Sequence, residues 1–475
     1  MPERTLDLIA VGGGTAGLVT AAGGAGLGAR VALVERDRMG GECLWNGCVP
    51  SKALIAASRA AHVARTASRV GVHAEEVLVA FDEVLEHVRR VQARIAPHDS
   101  PERFRGLGVQ VVEGSARFED AHTIAVGNER LTARHIVIAT GTRPTVPPIP
   151  GLSEVPFHTN ETIFSIASLP RTLLVVGGGP IGIELAQAFT RLGSTVSVID
   201  AAPTFFSRED QEVAELLLQQ LSDEGMRVML NTTVTSVRRH GTGVVLAVAR
   251  DGVPAELHGD ALLIAVGRTP NLDGLGLHEI GVRTDSGGVI TDRKLRTGVA
   301  GVYAAGDVVS GGLKFTHVAD HMARSVLRNA LFPGSSAVTY DGVPWVTYTD
   351  PELAHVGLTE AQARERYGSR IGVWRRALAG VDRVITDDAP PGLVKIITDP
   401  KGRVVGGHIL GAHAGDMIGE LTMAVSLKLT VGQIASVIHP YPTTAESIRQ
   451  ASEQRRKAGF TGWKKSLVSW LVQHV

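Results

Sequence analysis

Two cysteines are the residues best suited to redox chemistry, and they are the only two in the 475-residue chain. Cys43 and Cys48 stand five positions apart in Gly40-Gly41-Glu42-Cys43-Leu44-Trp45-Asn46-Gly47-Cys48-Val49-Pro50-Ser51-Lys52. In a regular helix residues i and i+5 are about 7.5 Å apart along the axis alone, whereas the Cα atoms of a disulfide lie about 4.4–6.8 Å apart. A bond between them needs a distorted turn, which Asn46-Gly47 allows. A strained or exposed bridge is easily reduced, which suits a bond that opens and closes in catalysis. The bland alternative is two unrelated buried thiols. A total of two also excludes a disulfide-stapled scaffold and a four-thiolate zinc site. No structural metal is expected, and the two sulfurs remain possible ligands for a metal-ion substrate.

The elements that would position such a pair are written twice. Leu8-Ile9-Ala10-Val11 runs into Gly12-Gly13-Gly14-Thr15-Ala16-Gly17, a helical pattern, and Val31-Ala32-Leu33-Val34-Glu35. Leu173-Leu174-Val175-Val176 runs into Gly177-Gly178-Gly179-Pro180-Ile181-Gly182, a helix, and Val196-Ser197-Val198-Ile199-Asp200. Each is strand, Gly-rich turn, helix, strand, acid, which is the dinucleotide fingerprint. Gly12 and Gly177 permit the tight turn, Gly14 and Gly179 let backbone approach a pyrophosphate, and Gly17 and Gly182 let helix and strand pack. The diphosphate then meets the positive end of the helix. Glu35 and Asp200 would accept hydrogen bonds from ribose hydroxyls. Asp200 is followed by Ala201-Ala202 and would repel a 2′-phosphate, so the second unit reads as NADH-binding; NADPH stays possible because Arg208 could reach in.

The rest of the chain fills in around these units. Helix formers dominate residues 53–69 and 81–93, short strands are expected at 109–118 and 123–126, and residues 136–142 form an apolar strand ending in a small-residue turn. Pro144, Pro147, Pro148 and Pro150 mark a linker. From about residue 341 alternating strands are followed by helices, which reads as a separate α+β domain. The expected fold is α/β: two Rossmann-like dinucleotide-binding domains, residues 1–150 with 272–340 and residues 151–271, plus a C-terminal α+β dimerisation domain at 341–475. Lys and Arg total 48, as do Asp and Glu. That balance argues against nucleic acid as a partner, because phosphate binding needs a basic excess. There is no secretory signal and no apolar run long enough to span a bilayer, so no membrane partner and a cytoplasmic location are expected. The short amphipathic tail at 463–475 reads as a docking or dimer-packing helix and not as an anchor.

The motifs resemble those of the FAD-dependent pyridine nucleotide–disulfide oxidoreductases. The resemblance rests on the two Gly-rich units, the GGxCxxxxCxPSK stretch at 40–52, ATG at 139–141, AVGRTPN at 265–271 and YAAGD at 303–307. It implies that the first unit holds FAD and the second NAD(P)H. It makes Cys43 the interchange thiol and Cys48 the charge-transfer thiol beside the flavin, pairs Lys52 with Glu184, and places Asp307 on the flavin ribityl chain. It assigns Gly114, Ala116, Thr140 and Gly141 to the FAD site and Gly267 to the NAD site. It also implies a homodimer in which the C-terminal segment of one subunit completes the other's site.

The C-terminal segment His439-Pro440-Tyr441-Pro442-Thr443-Thr444-Ala445-Glu446 departs from the disulfide-reducing pattern. Those enzymes carry a His directly before the Pro-Thr; here Tyr441 stands there, and Glu446 remains. Cleaving a substrate disulfide needs an acid for the leaving thiolate. A His near about 6.5 suits that task and a Tyr near about 10 does not. Two thiolates holding a thiophilic metal ion need no such acid. A Tyr here resembles mercuric reductase and, more loosely, the copper-reducing flavoprotein of reactive-chlorine resistance. The alternative is a dihydrolipoyl dehydrogenase or other dithiol–disulfide reductase in which His439 acts as base. With no cysteine beyond Cys43 and Cys48, the pair must meet its substrate directly. Trp45, between them, is a further departure that narrows the pocket or simply packs.

Overall fold

The computed structural model describes residues 5–459 and 462–474. Its first sheet is parallel in the order Gln110–Glu113, Val31–Glu35, Leu6–Val11, Glu129–Ile138, with Val302–Ala304 beyond. The long strand Glu129–Ile138 serves twice. Its last residues pair with Leu6–Val11 and Val302–Ala304, and its first residues extend an antiparallel hairpin, Ala116–Phe118 and Thr123–Val126. Leu8, Ile9, Ala10, Ile136, Val137 and Ile138 are fully buried. Helices cover both faces of such a sheet, so its strands are continuous apolar runs and not alternating ones.

One expectation needs correction here. Residues 109–118 are not one strand. Gln110–Glu113 runs parallel to Val31–Glu35, and Ala116–Phe118 belongs to the hairpin. The chain breaks at Gly114, whose N–H is held by the Glu35 carbonyl at 2.8 Å.

The second sheet repeats the plan: Arg227–Met229, Thr195–Ile199, Thr172–Val176 and Ala261–Ile264, all parallel. A three-stranded antiparallel sheet, Thr232–His240, Gly243–Arg250 and Val253–Gly259, lies beside it. The two Gly-rich turns share one steric logic. A Cβ on Gly17 would run into the Gly12 carbonyl, and one on Gly182 into the Gly177 carbonyl. Helices Thr15–Gly26 and Pro180–Leu192 can therefore sit close against their strands only with glycine there.

The C-terminal part is a five-stranded antiparallel sheet ordered Pro344–Thr347, Glu352–Gly357, Val404–Gly411, Leu393–Thr398, Gly372–Ala377. Helix Ala414–Ser426 buries Met417, Ile418 and Leu421 in the core it shares with Val394, Ile396 and Ile409. Helix Pro180–Leu192 is the junction of all three parts. Its buried residues Ile183, Leu185 and Phe189 share a core with Ala53, Leu54 and Ile55 of helix Cys48–Thr66. Its side chains Glu184, Gln187 and Arg191 reach the segment 348–350.

Candidate active site

The distorted turn expected between the cysteines is present. Cys43 lies in the short helix Gly41–Trp45 and Cys48 opens helix Cys48–Thr66, with Asn46 and Gly47 in non-helical conformations between them. Both cysteines are thiols, Cys43 half-buried and Cys48 exposed. The two sulfurs set each other's ionisation, and Thr316 Oγ1 lies 3.8 Å from Cys48 Sγ.

Their electrostatics are split. Hydrogen bonding to Cys48, followed by burial, pushes the Cys43 thiol far up. The bond from Cys43 brings Cys48 down to about 6 against the opposing effect of burial, and the Lys52 ammonium and the Thr316 hydroxyl help. Cys48 also occupies the first turn of a helix, where the free N–H groups favour a thiolate. The pair is thus one thiolate and one thiol at neutral pH. In the reduced protein one thiolate is expected to titrate through about pH 6 by ultraviolet absorbance, with the second thiol silent throughout the neutral range. Two thiols ionising together near pH 8–9 would contradict the asymmetry.

Lys52 sits one helical turn beyond Cys48. Its Nζ donates to Glu184 Oε2 at 2.8 Å and lies 4.4 Å from the centre of the Tyr348 ring. Burial works against this ammonium, but the Glu184 carboxylate outweighs it and holds Lys52 above the ordinary lysine value. Glu184 is itself fixed, because Oε1 accepts the Tyr348 backbone N–H at 2.8 Å.

These groups open onto a cleft of about 950 Å3. Gly12, Gly14, Glu35, Gly114, Ala116, Thr140, Gly141 and Asp307 line it together with Cys43, Cys48, Lys52 and Glu184. Gly17 stands behind it, where the helix meets the strand. Gly177, Gly179, Gly182, Asp200 and Gly267 belong to the second unit and do not line it, although Pro180, Ile181 and Leu185 of the adjoining helix do.

The residues present fit a flavin dinucleotide. Asp307 is largely buried, and burial pushes its carboxyl up. Its one hydrogen bond is a long one of 3.5 Å from Thr142, and no cation among the described residues lies within ion-pair distance. A carboxylate so placed in a cleft wall is an open acceptor for hydroxyls. Space in front of Gly14 is likewise clear, and the helix behind it presents free N–H groups. Glu35 and Asp200 repeat one arrangement. Glu35 accepts from Gly13 N–H and Asp37 N–H, and Asp200 from Gly178 N–H at 2.7 Å and Ala202 N–H at 2.8 Å. Each acid braces its own glycine turn and still has lone pairs for a ribose.

Four features carried no signal in the sequence reading. Glu42, next to Cys43, is half-buried and forked by Arg268, and also takes 2.7 Å from Asn160 Nδ2. Arg268 also donates 2.7 Å to Thr142 Oγ1. Thr316 and Tyr348 reach the cysteine and glutamate sites from far along the chain. Trp45, which the sequence did single out, both packs and lines the cleft: its indole N–H bonds the Met39 carbonyl at 2.8 Å, and Arg38 covers its ring.

His439, Tyr441 and Glu446 do not line this cleft. His439 is turned into its own domain, with Nδ1 3.1 Å from the Val437 carbonyl and Nε2 3.1 Å from Glu420 Oε2. Tyr441 is 70% exposed, and its hydroxyl donates 2.8 Å to Asp382, which holds the phenol above its ordinary value. Glu446 starts helix Glu446–Ala458 and pairs with Arg449 at 2.6 Å.

Residues 6–323 match the family model described as pyridine nucleotide-disulphide oxidoreductase, and residues 343–452 match its dimerisation domain. The chain is 36% identical over 455 residues to mercuric reductase of Streptomyces lividans, covering 94% of this chain and 95% of that one. It is 33% identical over 453 residues to dihydrolipoyl dehydrogenase of Geobacillus stearothermophilus, with coverage of 94% and 95%. Among solved structures, the Cu(II) complex of the HOCl-induced flavoprotein disulfide reductase RclA from Escherichia coli superposes with a TM-score of 0.85 at 29% identity, covering 95% of this chain and all of that one. The thiol pair, the twin glycine turns and these matches agree: the chain is an oxidoreductase that belongs to the class I pyridine nucleotide–disulphide oxidoreductases, whose members work with flavin and nicotinamide cofactors.

Proposed function

We propose that the chain is an NADH-dependent, FAD-containing reductase whose Cys43–Cys48 pair delivers two electrons to a thiophilic metal ion, mercuric or cupric, or to a related oxidant. When bound, the flavin supplies the two-electron exchange between nicotinamide and the thiol pair. Cys48, ionised and beside Lys52, is the sulfur that faces the flavin. Lys52, held by Glu184, is the cation that balances charge there. Cys43, kept protonated, would be the sulfur that meets the acceptor. Closing the Cys43–Cys48 bond releases two electrons and the Cys43 proton. One two-electron acceptor or two one-electron acceptors then remove those electrons. Gly12, Gly14, Glu35, Gly114, Ala116, Thr140, Gly141 and Asp307 would hold FAD; Gly177, Gly179, Gly182, Asp200 and Gly267 would hold NADH.

The carrying observation for the acceptor lies in the C-terminal segment. No histidine stands in the acid's position there: His439 contacts Val437 and Glu420 of its own domain, and Tyr441, which takes the acid's place in sequence, is held above its ordinary value by Asp382. A disulfide substrate would lack its acid, whereas a metal ion needs none. Three exposed side chains, Ile438 at 94%, Tyr441 and Val437, form an apolar surface on this domain. We read it as the face that a second copy covers, so that the segment completes the partner's site.

Steady-state NADH oxidation with Hg(II), Cu(II), lipoamide and glutathione disulfide side by side tests this reading. Turnover is expected with a metal ion and at least about tenfold lower kcat/KM with either disulfide. Rapid lipoamide turnover that is lost in His439→Ala and kept in Tyr441→Phe would assign the enzyme to disulfides. NADH should also exceed NADPH in kcat/KM by about tenfold or more. An equal rate with both would remove the role given to the Asp200 charge.

A further inference from the structure

We propose that the C-terminal helix Trp463–His474 is a membrane-surface element that lies among the headgroups of an anionic bilayer and brings the enzyme there. The helix lies beyond the matched dimerisation domain, which ends at residue 452. Its apolar side chains are left open by the rest of the chain: Trp463 is 71% exposed, Trp470 55% and Leu467 46%. At 3.6 residues per turn, positions 463, 467, 470 and 471 share one face, and Lys465, Ser466, Ser469 and Gln473 lie on the other together with Val472, 78% exposed. Paired tryptophans over leucines suit the boundary between headgroup and acyl chain.

Charge selects the occupant. In sequence, Arg455, Arg456 and Lys457 precede the helix and Lys464 and Lys465 fall in its first turn, and no Asp or Glu stands between Glu453 and Val475. A second copy of the tail would bring the same cations face to face with no acidic side chain from 454–475 in either copy to pair them. Anionic lipid headgroups supply the missing charge, and each cation near such a surface strengthens binding. The helix lies in the plane and does not cross. Twelve residues extend about 18 Å, against a hydrocarbon core of about 30 Å. Among the described residues no helix is long and apolar enough to span. This departs from the sequence reading of the tail as a docking or dimer-packing helix with no membrane partner; the exposure of its apolar side chains and its charge carry the change.

Sedimentation of the purified full-length flavoprotein with vesicles tests the proposal. One set is phosphatidylcholine alone, and the other is phosphatidylcholine with an equal share of phosphatidylglycerol. The wild type is expected to pellet with the anionic set and stay in solution with the neutral one. Salt at about 1 M, where the screening length is about 3 Å, should release it. The double variants Trp463→Ser/Trp470→Ser and Lys464→Glu/Lys465→Glu should each lower the bound fraction at least about tenfold, with NADH oxidation unchanged. Equal binding to both vesicle sets, no binding to either, or variants that pellet like the wild type would overturn it. Tail variants that alter the oligomer on size exclusion, in a protein that ignores vesicles, would give the helix to a contact between copies instead.

Discussion

Cys48→Ser is expected to lower turnover with every acceptor by at least about a thousandfold, on the order of 4 kcal/mol of barrier. A serine hydroxyl does not ionise in the neutral range and cannot close a bond to Cys43, so the variant loses both the charged sulfur and the two-electron store. Cys43→Ser should be as inactive but for a different reason. Its hydroxyl can still donate to Cys48, and Lys52 and the helix terminus remain, so a single thiolate should persist at a modestly raised value. The two variants are therefore equal in steady-state NADH oxidation and separate in ultraviolet titration: Cys43→Ser keeps a low-pH ionisation and Cys48→Ser has none. Turnover in Cys48→Ser within tenfold of the wild type, with any acceptor, would show that electrons leave by another route. A matching titration in both variants would contradict the split between the two sulfurs.

What made the site legible in the sequence is locality. The strand–turn–helix units are contiguous, their strands are buried on both faces and so appear as unbroken apolar runs, and each turn needs glycine at fixed offsets. The two cysteines are close enough in the chain for their spacing alone to demand a broken helix, and Asn46-Gly47 breaks it. What could not be read is what folding brings together across long separations. Arg268 reaches Glu42 across 226 positions and Thr316 reaches Cys48 across 268. Tyr348 holds Glu184 through a backbone N–H, which any residue carries, so no residue type could announce it. The break at Gly114 was hidden for a related reason: an apolar run shows that strand is present, not which partner each half pairs with. His439 shows the same limit: residue type marked it as a candidate, but its ring partner Glu420 lies 19 positions earlier and outside any motif.

Arg191→Ala is expected to destabilise the protein by about 3–5 kcal/mol, the range for removing one partner of a buried ion pair. Arg191 is buried, and its guanidinium is forked by two acids from different parts of the chain. It donates to Glu224 Oε1 and Oε2 at 2.6 and 2.8 Å, to Asp350 Oδ2 at 2.6 Å, and to the Asp350 carbonyl at 2.8 Å. Gln187, one turn away, bonds the Asp350 N–H and carbonyl, each at 2.8 Å. Glu184, Gln187 and Arg191 lie at i, i+3 and i+7, so one helix face grips residues 348–350 along its length. Without the guanidinium, Glu224 and Asp350 are left as adjacent charges, with only Arg59 Nε among the described residues, at 3.4 Å from Asp350, within ion-pair distance to offset them. Arg191→Lys should recover only part of the loss, because a point ammonium cannot fork two carboxylates. The effect has a definite sign with pH. Burial raises the Asp350 carboxyl, but Arg191's charge and hydrogen bonds outweigh it and leave the group below its ordinary value. That contribution is present above the unfolded value of about 3.9 and is lost as pH falls through the folded one. Denaturant midpoints for wild type and variant should thus be far apart at neutral pH and converge below about pH 4. A gap that stays constant with pH would mean the arginine acts by packing alone. The same clamp carries the Tyr348 N–H that fixes Glu184, so the Glu184–Lys52 pair beside Cys48 should also loosen in Arg191→Ala. That links a strut buried at the domain junction to the ion pair beside the reactive sulfur.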